Sequence, residues 1–124
     1  MSVPVLPAAS VLVVDDRPDL HVLVGRRRAA SEFVGGMIVF PGGAVDDDDH
    51  GAQARVTVPT AEVPGLTTPV GAAFLHAGLR ETFEEVGLWV GGEVPVDAAE
   101  FPHVGRWITP PGAPRRYDTH FFLA

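Results

Sequence analysis

The amino-acid sequence predicts an α/β fold. Three observations carry that expectation. Short β-branched and aliphatic runs, such as residues 11–14 and 37–40, recur along the chain and read as buried strands. One segment, 71–86, repeats its apolar residues with a helical period: Ala72, Leu75, Leu79, Phe83 and Val86 follow one another at intervals of three and four. The 124 residues, 46% hydrophobic and 20% charged, suit one globular domain with its own core and leave no room for two.

Taken in order, residues 11–14 form the first expected strand. The turn formers Asp15, Asp16, Pro18 and Asp19 separate it from 21–24, the second arm of a hairpin. Three arginines, Arg26, Arg27 and Arg28, lead into a polar loop. A third strand over 37–40 ends at Pro41, Gly42 and Gly43. Residues 46–69 show no sustained period; they hold four consecutive Asp and three Pro, and read as a long surface loop with one short strand at 55–58. Loops of that length are uncommon in compact domains, so 47–69 is expected to be an inserted or functional surface segment. The helix over 71–86 ends where Gly87 supplies a C′ residue. Residues 88–90 and 106–108 read as short strands and 118–123 as a final strand. Glycine (14) and proline (12) together fill about a fifth of the chain, so loops take much of its length.

Composition removes several chemistries. There is no Cys, hence no disulfide, thiolate nucleophile or Cys-based metal site. All nine basic residues are Arg, which excludes a Schiff-base or phosphate-loop lysine. A net charge of −7 argues against a nucleic-acid or anionic-membrane partner. No apolar run reaches the ~18 residues of a membrane span, and the N-terminus lacks a charged signal region. The expected location is cytoplasmic.

The helix carries the chemistry. With Glu81 set at zero, Glu84 falls at roughly −60° and Glu85 at roughly +40°, opposite the apolar stripe. Glu81 and Glu85 repel at i, i+4, and all three glutamates sit in the last two turns, where the helix dipole is already negative. A cluster that breaks local rules points to a functional site, and a hard divalent cation, Mg²⁺ or Mn²⁺, is its natural compensation. Arg80 is placed to hold the carboxylates. The alternative is a merely solvated acidic face.

Residues 80–88, Arg-Glu-Thr-Phe-Glu-Glu-Val-Gly-Leu, resemble the core of the Nudix box, R-E-U-x-E-E-x-G-U with U aliphatic; Thr82 is a polar departure at a U position. Phe40-Pro41-Gly42-Gly43 resembles the turn that precedes the box in that family. The resemblance implies an α/β/α sandwich with a mixed β-sheet. It implies metal-dependent hydrolysis of a diphosphate linkage in a nucleoside derivative, a small-molecule substrate. Glu84 and Glu85 would be metal ligands, Glu81 a further ligand or the group that deprotonates water, the Gly42 carbonyl a backbone ligand, and Arg80 the residue that orients the glutamates. The family box has a Glu six residues after its second Gly and the Arg eight residues later. Here the first position is Asp49, and Arg80 lies 31 residues on. The 46–49 run is either a substitute carboxylate or a solvated loop; acidic runs are as a rule solvated, and the loop is expected.

The split box, with Leu23, Arg27 and Gly36 upstream and 115–124 downstream, resembles the subgroup related to peroxisomal coenzyme A diphosphatases. Glu32 stands where that subgroup has a second Arg. Arg27, Gly43, Arg115 and Arg116 are the candidate substrate contacts, with plain surface charge as the alternative for the arginines. Trp89, Phe101 and Trp107 suit base stacking or core packing, and His50, His76, His103 and His120 lack ligand spacing and read as structural. The family domain continues with more sheet and a second helix, so the chain is expected to be incomplete at its C-terminus and to associate, as a homo-oligomer, through an uncovered face. The rival to an enzyme is a non-catalytic Nudix-like ligand-binding or regulatory domain, or an inactive fragment.

Overall fold

The computed structural model describes residues 3–26, 37–49, 56–57, 68–93 and 96–124. The chain is built on a four-stranded mixed sheet of order β6-β1-β10-β9. Strand β1 (Val5–Leu12) lies parallel to β10 (Arg116–Leu123), with Val5 opposite Arg116 and Leu12 opposite Leu123. Strand β6 (Gly42–Ala44) runs antiparallel along the other side of β1, and β9 (His103–Ile108) antiparallel along β10. The final strand therefore has a neighbour on each side, as its alternation requires.

Three two-stranded ribbons complete the described strands. β2 (Val14–Asp15) and β3 (His21–Val22) form the expected hairpin. β4 (Gly25–Arg26) pairs with β5 (Ile38–Val39), and β7 (Val56–Thr57) lies parallel to β8 (Val96–Asp97). The one α-helix among the described residues, α1 (Thr68–Val86), starts three residues before the expected 71 and ends before Gly87, whose N–H donates to the Phe83 carbonyl at 2.8 Å. No helix of the described residues is long and apolar enough to cross a membrane.

Helix α1 packs on β1 and β6. Gly78 makes the approach possible: a Cβ there would lie 2.9 Å from Val11 Cγ2. Ala9, Leu75, Leu79 and Phe122 form the centre of the core, with Phe74, Val96 and Phe101 around them. The apolar stripe corrects the sequence reading at its C-terminal end. Ala72, Leu75 and Leu79 are buried, but Phe83 and Val86 are 53% and 42% exposed. From residue 71 to 79 the helix is buried all round, whereas the turns that carry the acids emerge into solvent and take Phe83 and Val86 with them. Residues 88–90 also differ from expectation: they form no strand, and Trp89 Nε1 donates to the Gly92 carbonyl at 2.8 Å across a turn. On the sheet face away from α1, Phe40, Val104, Trp107 and Phe121 line a shallow groove of about 390 Å³.

His120 and His103 are structural, as expected. They share a hydrogen bond, Nε2 of His103 to Nδ1 of His120 at 2.9 Å, and His120 packs edge-on against Phe74. Burial pushes both imidazoles below their ordinary value; for His120 the nearby Asp118 works in the opposite direction, and His103 and Arg106 add to the depression. A His with a lowered folded-state value favours folding above the unfolded value of about 6.5, and that stability is lost as pH falls through the folded value. The melting temperature is therefore expected to fall between pH 7 and pH 5, before any carboxylate with a lowered value titrates. His120→Phe should flatten that slope in pH-dependent thermal melts. An unchanged slope in the variant would contradict the assignment.

Candidate functional site

The acidic helix end meets the sheet edge at β6. Gly42 pairs with Ser10 and Gly43 with Ala9 on β1. Ser10 Oγ donates to the Pro41 carbonyl at 2.9 Å and anchors the turn into β6. A side chain on Gly42 would meet backbone, and one on Gly43 would displace Glu81. A Cβ on Gly42 would collide with the Ala9 carbonyl and lie 2.7 Å from Ser10 Cα, and one on Gly43 would lie 2.6 Å from Glu81 Cδ. Gly43 thus lets the Glu81 carboxylate lie directly against the strand backbone.

Arg80 gathers the carboxylates. Its Nη1 donates to Glu81 Oε1 at 2.9 Å and to Glu84 Oε2 at 3.1 Å. Its Nη2 donates to the Ala44 carbonyl of β6 at 3.2 Å and to Asp49 Oδ2 at 3.0 Å, and its Nε reaches Asp49 Oδ1 at 3.2 Å. One planar group therefore ties two helix acids, the edge strand and a loop acid. Glu85 belongs to the same end: its Oε2 accepts from the Gly42 N–H at 3.4 Å.

Asp49 corrects the sequence expectation. The 46–49 run is not a uniformly solvated loop. Asp46, Asp47 and Asp48 stay at the surface, but Asp49 is 0% exposed. It accepts from Arg80, from the Asp46 N–H at 2.8 Å and from His76 Nδ1 at 2.6 Å. Burial pushes its carboxyl up, yet these donors together hold it below its ordinary value, so it is ionised. Its position six residues after Gly43 was the available signal. His76 carried none beyond its place one turn before Arg80 on the same helix face.

Glu81 is electrostatically different from its neighbours. Burial raises its carboxyl above the ordinary value; the Arg80 guanidinium opposes this, and the charges of Glu84 and Asp46 add to it. The donor set is all oxygen, which suits a hard divalent cation. As placed, the carboxylates are turned to Arg80 and Gly42, and among the described residues no three acid or His side chains converge on one point. Glu84 and Glu85 are exposed, so their re-aiming disturbs no packing.

Arg115 and Arg116 are not brought to this end. Arg116 lies opposite Val5 on β1, four positions from Ala9 and so about 13 Å along the strand from Gly43. Its Nε donates to the Thr109 carbonyl at 3.0 Å. Arg27, like Leu23's subgroup partners Glu32 and Gly36, lies outside the described residues.

The fold and this acidic helix are similar to those of Nudix hydrolases of known structure. A Nudix hydrolase from Alicyclobacillus acidocaldarius is similar over 98% of this chain and 70% of its own, with 28% identity and a TM-score of 0.82. A MutT protein from Methanosarcina mazei matches over 99% of this chain and 64% of its own, at 17% identity and a TM-score of 0.60. An Ap4A hydrolase from C. elegans matches over 97% and 67%, at 13% identity and a TM-score of 0.52. The latter two likenesses concern the fold alone. No family profile and no curated protein matches the chain.

Proposed function

We propose that the chain is a Nudix-type pyrophosphohydrolase that cleaves a diphosphate linkage in a nucleoside diphosphate derivative, with Mg²⁺ or Mn²⁺ as cofactor. The observation that carries this reading is the Arg80-centred cluster of Glu81, Glu84 and Glu85 against the Gly42–Gly43 edge. Glu81, Glu84, Glu85 and the Gly42 carbonyl would hold the ion, which when bound supplies charge neutralisation at phosphoryl oxygens and a more acidic water. Arg80 orients Glu81 and Glu84, to which it donates. Glu81, half-buried and raised in proton affinity, is suited to take a proton from water. Gly43 leaves the space in which Glu81 lies. Arg27, Arg115 and Arg116 would contact phosphates; Arg115 and Arg116 serve only a substrate long enough to reach the far end of β10. Coenzyme A compounds are long enough, and the resemblance to their diphosphatases supports testing them first. The segment 47–69, of which residues 50–55 and 58–67 lie outside the described residues, would be an insertion within one domain, and the cytoplasm is the expected place of action.

A screen of Mg²⁺-dependent phosphate release over coenzyme A, NADH, ADP-ribose and nucleoside triphosphates tests the reading. Turnover of at least one diphosphate compound is expected. The second reading, a ligand-binding domain, draws on the carboxylates being turned to Arg80 rather than to a common point; it predicts nucleotide binding with no release on any of these compounds.

A further inference from the structure

Asp49 is separated from its partners on α1 by 27 and 31 residues, and its local bonds among the described residues are those of the 46–49 turn. Two donors one helical turn apart also grip it. His76 and Arg80 are i, i+4 neighbours, and both reach Asp49 Oδ1 while Arg80 alone also reaches Oδ2. With the Asp46 N–H on Oδ2, the carboxylate receives four donors, its full capacity. An ionised carboxylate only accepts, so the proton of the 2.6 Å contact sits on His76 Nδ1.

The rest of the Arg80 plane faces the acidic helix end. Nη1 is committed to Glu81 and Glu84, and Nη2 is shared with the Ala44 carbonyl. Arg80 also has an exposed competitor for its charge in Asp46, 3.3 Å from Nη2 and 62% exposed. What keeps the plane in its present orientation is a carboxylate that cannot itself move. His76, only 8% exposed, is the side chain that holds that carboxylate independently of Arg80, alongside the Asp46 N–H of its own turn.

We propose that His76 is a positioning residue for the acidic face: by clamping Asp49 it sets the Arg80 plane that aims Glu81 and Glu84. The relay to metal rests on the reading that those glutamates hold the ion; the clamp itself does not.

Two substitutions separate this role from a merely structural one. His76→Asn keeps a donor where Nδ1 stands but leaves a gap and a poorer helix former. His76→Leu fills the space and favours the helix but has no donor. A structural role makes Asn the worse variant; the clamp makes Leu the worse one. The first readout uses metal-free protein: amide exchange of the Asp46 and Asp49 N–H groups, which bond within the 46–49 turn. His76→Leu should accelerate it at least tenfold, and His76→Asn should stay near the wild type. The second readout is Mn²⁺ affinity, followed by the free-ion resonance signal. His76→Leu should weaken it about tenfold, at the low end of what loss of a supporting partner does, with His76→Asn close to the wild type. Wild-type exchange in His76→Leu, or the reverse order of the two variants, overturns the clamp. Faster exchange with unchanged Mn²⁺ affinity overturns the relay to the glutamates. A wild-type protein that binds no Mn²⁺ overturns the metal reading, while the exchange comparison still decides the clamp.

Discussion

Arg80→Ala is expected to destabilise the protein by about 3 kcal/mol, near the lower end of the cost of breaking a buried ion pair. The reason is Asp49, which is 0% exposed in the intact protein and loses its main counter-charge. His76 and the Asp46 N–H remain as donors and hold the loss at that lower end. In a domain of this size the melting temperature should drop by roughly 10 °C. Arg80→Lys should cost less in stability, because a charge remains. It should still disorder the acidic face, since an ammonium cannot bridge Asp49, Glu81, Glu84 and the Ala44 carbonyl at once. A loss below about 1 kcal/mol in Arg80→Ala, the range of a surface ion pair, would show that Asp49 is not held as described.

Glu84→Gln and Glu85→Gln are expected to give the largest effect on activity. Each should lower the Mg²⁺-dependent rate by about 10²–10³, the scale of losing one group that stabilises developing charge. Their metal-free stability should hold or rise. Both residues sit in the negative end of α1, so removing a charge relieves repulsion there. A glutamine oxygen can still accept from Arg80 or from the Gly42 N–H, as Glu84 and Glu85 do. Rates within twofold of the wild type, or unfolding without metal, would overturn the assignment of these residues.

Much of this was legible in the residues. The helix announced itself through its apolar spacing and Gly87, and the acidic face through three glutamates that helix rules alone disfavour. The hairpin and the final strand also followed from pattern, whereas the mixed character of the sheet was implied only by the resemblance of the helix and the Phe40–Gly43 turn to a known family. The first strand was misplaced because Val5–Leu12 carries Pro7, Ala8 and Ala9 in its interior, which have weak strand preference; there the partners on either side decide. Residues 88–90 looked like a strand by composition, but Gly87 and Gly91–Gly92 turn the chain at both ends. The exposure of Phe83 was invisible to periodicity, which finds a stripe but not where its cover stops. Asp49 was hidden among three other aspartates, three of them surface residues, and only the fold distinguishes the one that is enclosed.

The long span between Asp49 and Arg80 has a cost in chain entropy. Closing 31 residues instead of the family pattern's eight is nearly two doublings of loop length, or about 1.2 kcal/mol. A hydrogen bond to a charged group contributes about 1.5–3 kcal/mol, so the single His76–Asp49 bond is of the size needed to offset the longer closure. Because the cost grows only with the logarithm of length, the part of that span that precedes α1 can be lengthened or shortened by many residues at little cost in closure. Its sequence is thereby free to drift toward other uses while Asp49, His76 and Arg80 stay in place.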